Sequence, residues 1–294
     1  MTDTDRRDIY QIVTDRIIAA IEAGAGDWKM PWHITKGSGA IPCNVASSRT
    51  YRGINVVVLW AAAQAAGYTQ PIWGTYKQWQ ERGAQVRKGE KAAPVVFWKL
   101  LDQAETQEDE EGQRSRCIAR GYHVFNAAQV DGYEAPGLPV TSEPERIECA
   151  EAFFAALGAT IRHGGSRAFY SPGLDVIQMP PFPAFCDPVA YYGTLAHEAT
   201  HWSGHKSRCN RGLSGRFGSE SYAAEELVAE LGAAFVCAEL GLASEPRPDH
   251  AAYIDNWLKV LRGDKRAIFT AAAAAQRAAD WMHQHQPQAM HAAA

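Results

Sequence analysis

The segment His197-Glu198-Ala199-Thr200-His201 constrains this chain more than any other part of it. On a helix, two histidines four residues apart lie one turn above each other and can both reach one ion. Glu198 follows the first of them and points toward the place of a water held by that ion, where it can act as general base. In a chain with ten histidines, the pentapeptide arises by chance in roughly a few per cent of cases, and its plainest reading is two packed or surface histidines flanking a carboxylate. Two features argue for more. The preceding run, Tyr191-Tyr192-Gly193-Thr194-Leu195-Ala196, is apolar enough for a buried helix, an awkward place for His-Glu-His without a partner. Downstream, Ala224-Glu225-Glu226-Leu227-Val228-Ala229-Glu230 predicts a second helix with Leu227, Val228, Leu231 and Ala234 on its inner face. A glutamate on that face would complete a two-histidine, one-glutamate set with the fourth position open, the catalytic pattern for Zn²⁺. Mn²⁺ or another divalent ion is compatible with the same donors.

At 294 residues the chain is long for one domain and comfortable for two. Gly132, Pro136, Gly137, Pro139 and Pro144 mark the boundary. This gives a first domain over 1–132, a linker over 133–146 and a second domain over 147–294. Helical spacing is expected over 6–23, 53–66, Thr75 to Glu81 and Ile147 to Leu157, then over about 188–205, 220–241, 248–262 and 264–285. Strands are expected over Lys91–Leu101 and Tyr122–Phe125, and around 159–162, 168–170 and 175–179. The fold class is α+β: a mixed first half, then a mostly helical second half with a small sheet. Six cysteines at wide, irregular spacing argue for reduced thiols. Cys237 reads as core packing, and Cys209, though close to the histidine motif, is not counted as a ligand. No run is long and apolar enough to span a bilayer and the first residues do not look like a secretory signal, so a cytoplasmic protein is expected.

A net charge of −4 conceals an uneven distribution. Residues 28–101 carry ten Lys/Arg and two acids, a local charge of +8, whereas 102–111 hold six acids and suit a hairpin loop. The basic segment is interleaved with Trp28, Trp32, Tyr51, Trp60, Trp73, Tyr76, Trp79, Phe97 and Trp98. A positive groove for phosphates with aromatic faces for bases is the composition of single-strand binders. Trp60, Phe97 and Trp98 are expected in the core. Trp28, Trp32, Trp73, Tyr76 and Trp79, in or beside loops, should leave at least one stacking platform. Arg49, Tyr51, Arg52 and Asn55 form one candidate cluster and Arg87, Lys88 and Lys91 another, with Lys77 beside Tyr76.

Around the second helix the sequence resembles the gluzincins. In that group the ligand glutamate is followed four residues later by an acid that bonds a ligand histidine. The resemblance implies Glu226 as the third metal ligand beside His197 and His201, with Glu230 behind it; Glu225 has no acid four residues on. The metzincin pattern nearly fits, since Gly204 is in place, but Ser207 stands where its third histidine would be. His205, one turn past His201, either polarises a substrate carbonyl or packs.

Taken together, Trp28-Lys29-Met30-Pro31-Trp32, Asn44, Tyr51-Arg52-Gly53-Ile54-Asn55, Trp73-x-x-Tyr76, Val86-Arg87-Lys88-Gly89-Glu90-Lys91 and Val124-Phe125-Asn126-x-x-Gln129-Val130 resemble the N-terminal domain of ArdC-type antirestriction proteins, which is also similar to the N-terminal region of the plasmid TraC primase. Asp175-x-Ile177-x-Met179-Pro180, His197-Glu198-x-x-His201-Trp202-x-Gly204-His205 and Glu225-Glu226-Leu227-Val228-Ala229-Glu230 resemble the metallopeptidase-like domain of the same proteins. The resemblance implies a single-stranded-DNA-binding half joined to a zincin-like half, in a protein of a mobile element that shields incoming DNA from host restriction. Three readings follow: a DNA-protecting protein with a conditional hydrolase, a metalloprotease that cuts a host defence protein, such as a restriction component, and is targeted by its DNA-binding half, or a non-enzymatic protein braced by zinc.

Overall fold

The computed structural model describes residues 8–25, 30, 40–100, 107–108, 114–115, 117–136, 142–213, 219–242 and 251–287. Its elements in chain order are α1 (Ile9–Gly24), β1 (Cys43–Asn44), α2 (Ile54–Ala66), β2 (Ile72–Gly74), α3 (Tyr76–Glu81), β3 (Gln85–Val86), β4 (Ala93–Leu100), β5 (Gln107–Glu108), β6 (Arg114–Ser115), β7 (Cys117–Asn126), β8 (Val130–Asp131), α4 (Glu143–Ala156), β9 (Thr160–His163), β10 (Phe169–Ser171), β11 (Val176–Met179), α5 (Pro188–Ser203), α6 (Glu220–Glu239), α7 (Ala251–Gly263) and α8 (Ala267–Gln284). Helices start where the sequence supplies a side-chain acceptor for the open backbone donors. Asp8 accepts from the Tyr10 N–H at 2.9 Å, and Asp187, ahead of Pro188, accepts from Ala190 at 2.8 Å. Thr75 and Gln78 form a reciprocal capping box. α2 stops at Gly67, whose φ of 69° is the left-handed cap that only glycine adopts without cost.

The first half is built on a four-stranded sheet of order β1-β2-β7-β4, in which β4 and β7 form a long antiparallel pair. The second half carries a three-stranded sheet of order β10-β11-β9, with β9 parallel and β10 antiparallel to β11. The main apolar cluster crosses from one half to the other. Val13, Ile17 and Ile21 of α1 and Val57 and Trp60 of α2 share it with Ile177, Leu231, Phe235, Trp257, Ile268 and Ala272. The Trp60 and Phe235 ring centroids lie 5.9 Å apart. Polar ties follow the same path: Thr14 Oγ1 donates to the Lys265 carbonyl at 2.7 Å, and Gln276 Oε1 accepts from the Gly53 N–H at 2.9 Å.

Two aromatic expectations are corrected. Trp73 and Trp79 are core residues, Trp73 being 1% exposed, and so offer no face to a base. Trp73 is buried because it stands on β2, a strand too short to announce itself in the sequence, and packs with Leu59, Val95 and Val124. Phe97 and Trp98, expected in the core, are 61% and 41% exposed. Their strand continues past the body it packs on, so the apolar run outlasts the burial. Trp28 and Trp32 lie outside the described residues.

Candidate metal centre and nucleic-acid face

α5 and α6 pack closely because Gly232 faces Thr200. A methyl group at Gly232 would stand 2.5 Å from Thr200 Cγ2 and 2.7 Å from its Oγ1. That close approach brings the His197-to-His201 turn of α5 against the Glu225-to-Glu230 stretch of α6. The two imidazole Nε2 atoms lie 3.1 Å apart. Glu226 Oε2 is 3.5 Å from His197 Nε2, and Glu226 Oε1 is 3.5 Å from His201 Nε2. Among the described residues these three form the cluster of donors that could hold a metal, with all ligand atoms within 4.8 Å of one another. The donor set fits such an ion. A tetrahedral Zn²⁺ with bonds of about 2.0–2.1 Å spaces its ligand atoms about 3.3 Å apart, which matches the separations found here.

Each imidazole is backed by its own carboxylate on the nitrogen turned away from the centre. His197 Nδ1 lies 3.0 Å from Glu230 Oε1, and His201 Nδ1 lies 3.3 Å from Glu225 Oε1. Such pairs set the ring orientation and leave Nε2 for the metal. Glu225 is in turn held by Arg211, with Nη2 to Oε1 at 3.0 Å and Nε to Oε2 at 3.2 Å. Arg211 also donates to Ser203 Oγ at 3.0 Å and to the Thr200 carbonyl at 2.5 Å. Electrostatics follow the packing. Burial disfavours imidazolium at His201, but the Glu225 and Glu226 carboxylates outweigh it and raise its pKa to about 10. Burial likewise opposes the charge on Glu226, yet the two imidazoles hold that carboxyl well below the usual range. Glu198, next to His197 on α5, is buried.

His205 falls beyond the end of α5, outside the three-donor cluster, with Nδ1 2.8 Å from Ser207 Oγ. Beside it, Arg208 binds Asp175 through both of its terminal nitrogens and lies over Trp202, 3.9 Å from the ring centroid. Tyr170 also donates to Asp175, at 2.9 Å.

Across the N-terminal half the predicted DNA-binding residues are dispersed. Arg49, Lys88 and Lys91 are exposed. Arg52 pairs with Asp280, Lys77 with Glu81 at 3.7 Å, and Arg87 with both Glu90 at 3.0 Å and Asp131 at 3.4 Å. Tyr76 is exposed, and its hydroxyl accepts from Gln85. Tyr51 is half-buried, its hydroxyl accepting from Asn44 at 3.2 Å. Asn55 is committed to the sheet: its amide donates to the Val96 carbonyl and its oxygen accepts from the Val96 N–H, both at 2.7 Å.

Residues 7–125 match the family described as the N-terminal domain of anti-restriction factor ArdC, and residues 148–274 match a zincin-like metallopeptidase family. Crystal structures of the antirestriction protein ArdC from plasmid R388, one metal-free and one Mn(II)-bound, resemble this chain with a TM-score of 0.77. The identities are 45% and 43%, over 95% of this chain and 98% of theirs. This chain belongs to the ArdC antirestriction family. Protein y4eC of Sinorhizobium fredii (strain NBRC 101917 / NGR234) is 58% identical over 96% of this chain and 94% of its own length. A DNA primase TraC of Escherichia coli is 38% identical over 94% of this chain, which spans only 27% of that primase. In this ArdC-family chain no helix among the described residues is long and apolar enough to cross a membrane. Sequence reasoning missed the support that Glu225 and Arg211 give to His201. Glu225 carried a signal, since it adjoins the expected ligand. Arg211 carried none, because it stands in an irregular segment brought back by the fold.

Proposed function

We propose that this protein protects the DNA of a mobile element from host restriction during conjugation. Its N-terminal half binds single-stranded DNA, and its C-terminal half holds Zn²⁺ at His197, His201 and Glu226 in a hydrolase-type site. The observation that carries the reading is the three-donor centre with a carboxylate behind each imidazole and the buried Glu198, next to His197 on α5, within electrostatic reach of His201. A purely structural zinc does not need Glu198. A bound divalent ion supplies Lewis acidity to the site. Glu198 takes a proton from the attacking water and returns it to the leaving group, in the manner of a general base that then serves as acid. Glu230 and Glu225 keep the two imidazoles turned to the centre while this happens. The working compartment is the cytoplasm of the cell that receives the DNA.

Band shifts with single- and double-stranded oligonucleotides over a salt series test the DNA half. A salt-sensitive preference for single strands is expected, and its absence would sink that half of the reading. A second reading is favoured by the presence of Glu198: an active metalloprotease that cuts a host restriction component and is brought to it by the DNA-binding half. Wild type and Glu198→Ala are compared on candidate host proteins and in a conjugation assay under restriction. Cleavage by the wild type alone supports the protease reading. Equal protection by both proteins with no cleavage removes it.

A further inference from the structure

Of the six basic residues that the sequence favours as phosphate contacts, Arg52, Lys77 and Arg87 are ion-paired and Arg49, Lys88 and Lys91 are exposed. A different set is open. In the β4–β7 register Phe97 stands opposite Arg120 and Val95 opposite Tyr122. Directly opposed residues share a face of an antiparallel pair, so Phe97, Arg120 and Tyr122 stand together on one side of the sheet. On the same side, nearer the body, Val95, Val124 and Ala93 are buried with Leu59 and Trp73. Past that cluster the covering stops. Phe97 is 61% and Tyr122 43% exposed, their rings edge to face with centroids 6.4 Å apart. Arg120 is exposed and has no ion-pair partner among the described residues. Trp98, on the opposite face, is accounted for by Phe269, 6.4 Å away.

We infer that this outer face of the β4–β7 pair, Phe97, Tyr122 and Arg120, is where the protein stacks the bases of single-stranded DNA. The inference rests on the single-strand-binding reading above. Two rings fixed on a fully paired ladder give flat apolar faces at little entropic cost, and base stacking on such rings does not depend on sequence. Arg120, opposite Phe97 and two residues before Tyr122, supplies beside the rings a guanidinium with no ion-pair partner among the described residues, which meets the phosphate that a stacked base brings with it. A duplex keeps its bases inside and presents no free ring to Phe97 or Tyr122, so single strands are preferred.

The full chain is titrated with a fluorescent thymidine oligonucleotide, as wild type and as Phe97→Ala/Tyr122→Ala, Phe97→Leu, Phe97→Trp and Arg120→Ala variants. Each ring removed should weaken binding by at least about fivefold. Phe97→Leu, which keeps the apolar bulk, should lose affinity, whereas Phe97→Trp should retain it. Arg120→Ala should lower the slope of log affinity against log salt by roughly 0.7. The melting temperature of each variant controls for folding, and photocrosslinking of a halogenated oligonucleotide to the wild type should map to Phe97 or Tyr122. Wild-type binding that survives the double variant, with crosslinks elsewhere, overturns this placement and leaves single-strand binding standing. A wild type that does not bind single strands overturns both. Loss of affinity only together with a change from dimer to monomer overturns the placement in favour of self-association.

Discussion

At the scale of single residues, the candidate metal centre leans on groups outside its three donors. Glu225 and Glu230 each set one imidazole, and Arg211 sets Glu225. Removing such an outer partner typically costs 10–100-fold in metal affinity. Glu225→Gln should therefore bind Zn²⁺ about 10–100-fold more weakly than wild type by competition with a chromogenic chelator. An affinity within twofold of wild type would mean that Glu225 is a bystander. The first tier of this site was legible from spacing, because an i, i+4 pair of histidines with a glutamate after the first has few uses in a buried helix. Glu226 and Glu230 were legible through resemblance. Arg211 was not, since its reach to Glu225 depends on how residues 204–213 fold back over α5.

At the scale of elements, the approach of α5 to α6 is set by one missing side chain. Gly232→Ala places a methyl group against buried Thr200, and overpacking of this kind costs about 1–3 kcal/mol. The variant should melt at a lower temperature and also bind metal more weakly, because separating the helices withdraws Glu226 from the histidines. Adding Thr200→Ala should recover much of both losses, and a double variant no better than the single would refute the steric account. A second contact joins elements through charge. Arg208, from the segment after α5, clamps Asp175 at the β10–β11 turn, and the hydrogen bond from Arg208 is the leading reason the Asp175 carboxyl ionises below its usual range. A depressed carboxyl pKa adds stability that is present above the unfolded value of about 3.9 and is lost as pH falls through the folded value. Asp175→Asn should thus be destabilised by up to about 1 kcal/mol at neutral pH, a figure kept small because the side chain is 41% exposed. The difference should shrink below about pH 4. Asparagine is the apt substitute, since residue 175 has a φ of 52° and asparagine tolerates that region. Denaturant melts at several pH values follow the effect, and a gap that does not change with pH would exclude it. The helices were legible almost to their ends because caps and glycine stops frame them. β1, β2, β3 and β8 were not, because two or three residues carry no period. The same gap misassigned Trp73, while Phe97 and Trp98 misled because an apolar run does not show where its covering ends.

At the scale of the molecule, α1 and α2 from the first half share one apolar cluster with α5, α6, α7 and α8 from the second. Scanning calorimetry of the metal-free protein should show one cooperative transition, because an interface of this kind resembles a core more than a contact between independent domains. Two separable transitions, or a soluble and stably folded fragment 147–294, would count against it. The expected linker at 133–146 thus joins two halves that share one apolar cluster. That coupling also bears on what recombination can carry. An Escherichia coli TraC primase aligns with 94% of this chain as part of a much longer protein. A crossover that transferred only one half would leave the apolar face it shares with the other open to water, so the two halves are expected to be inherited as a pair.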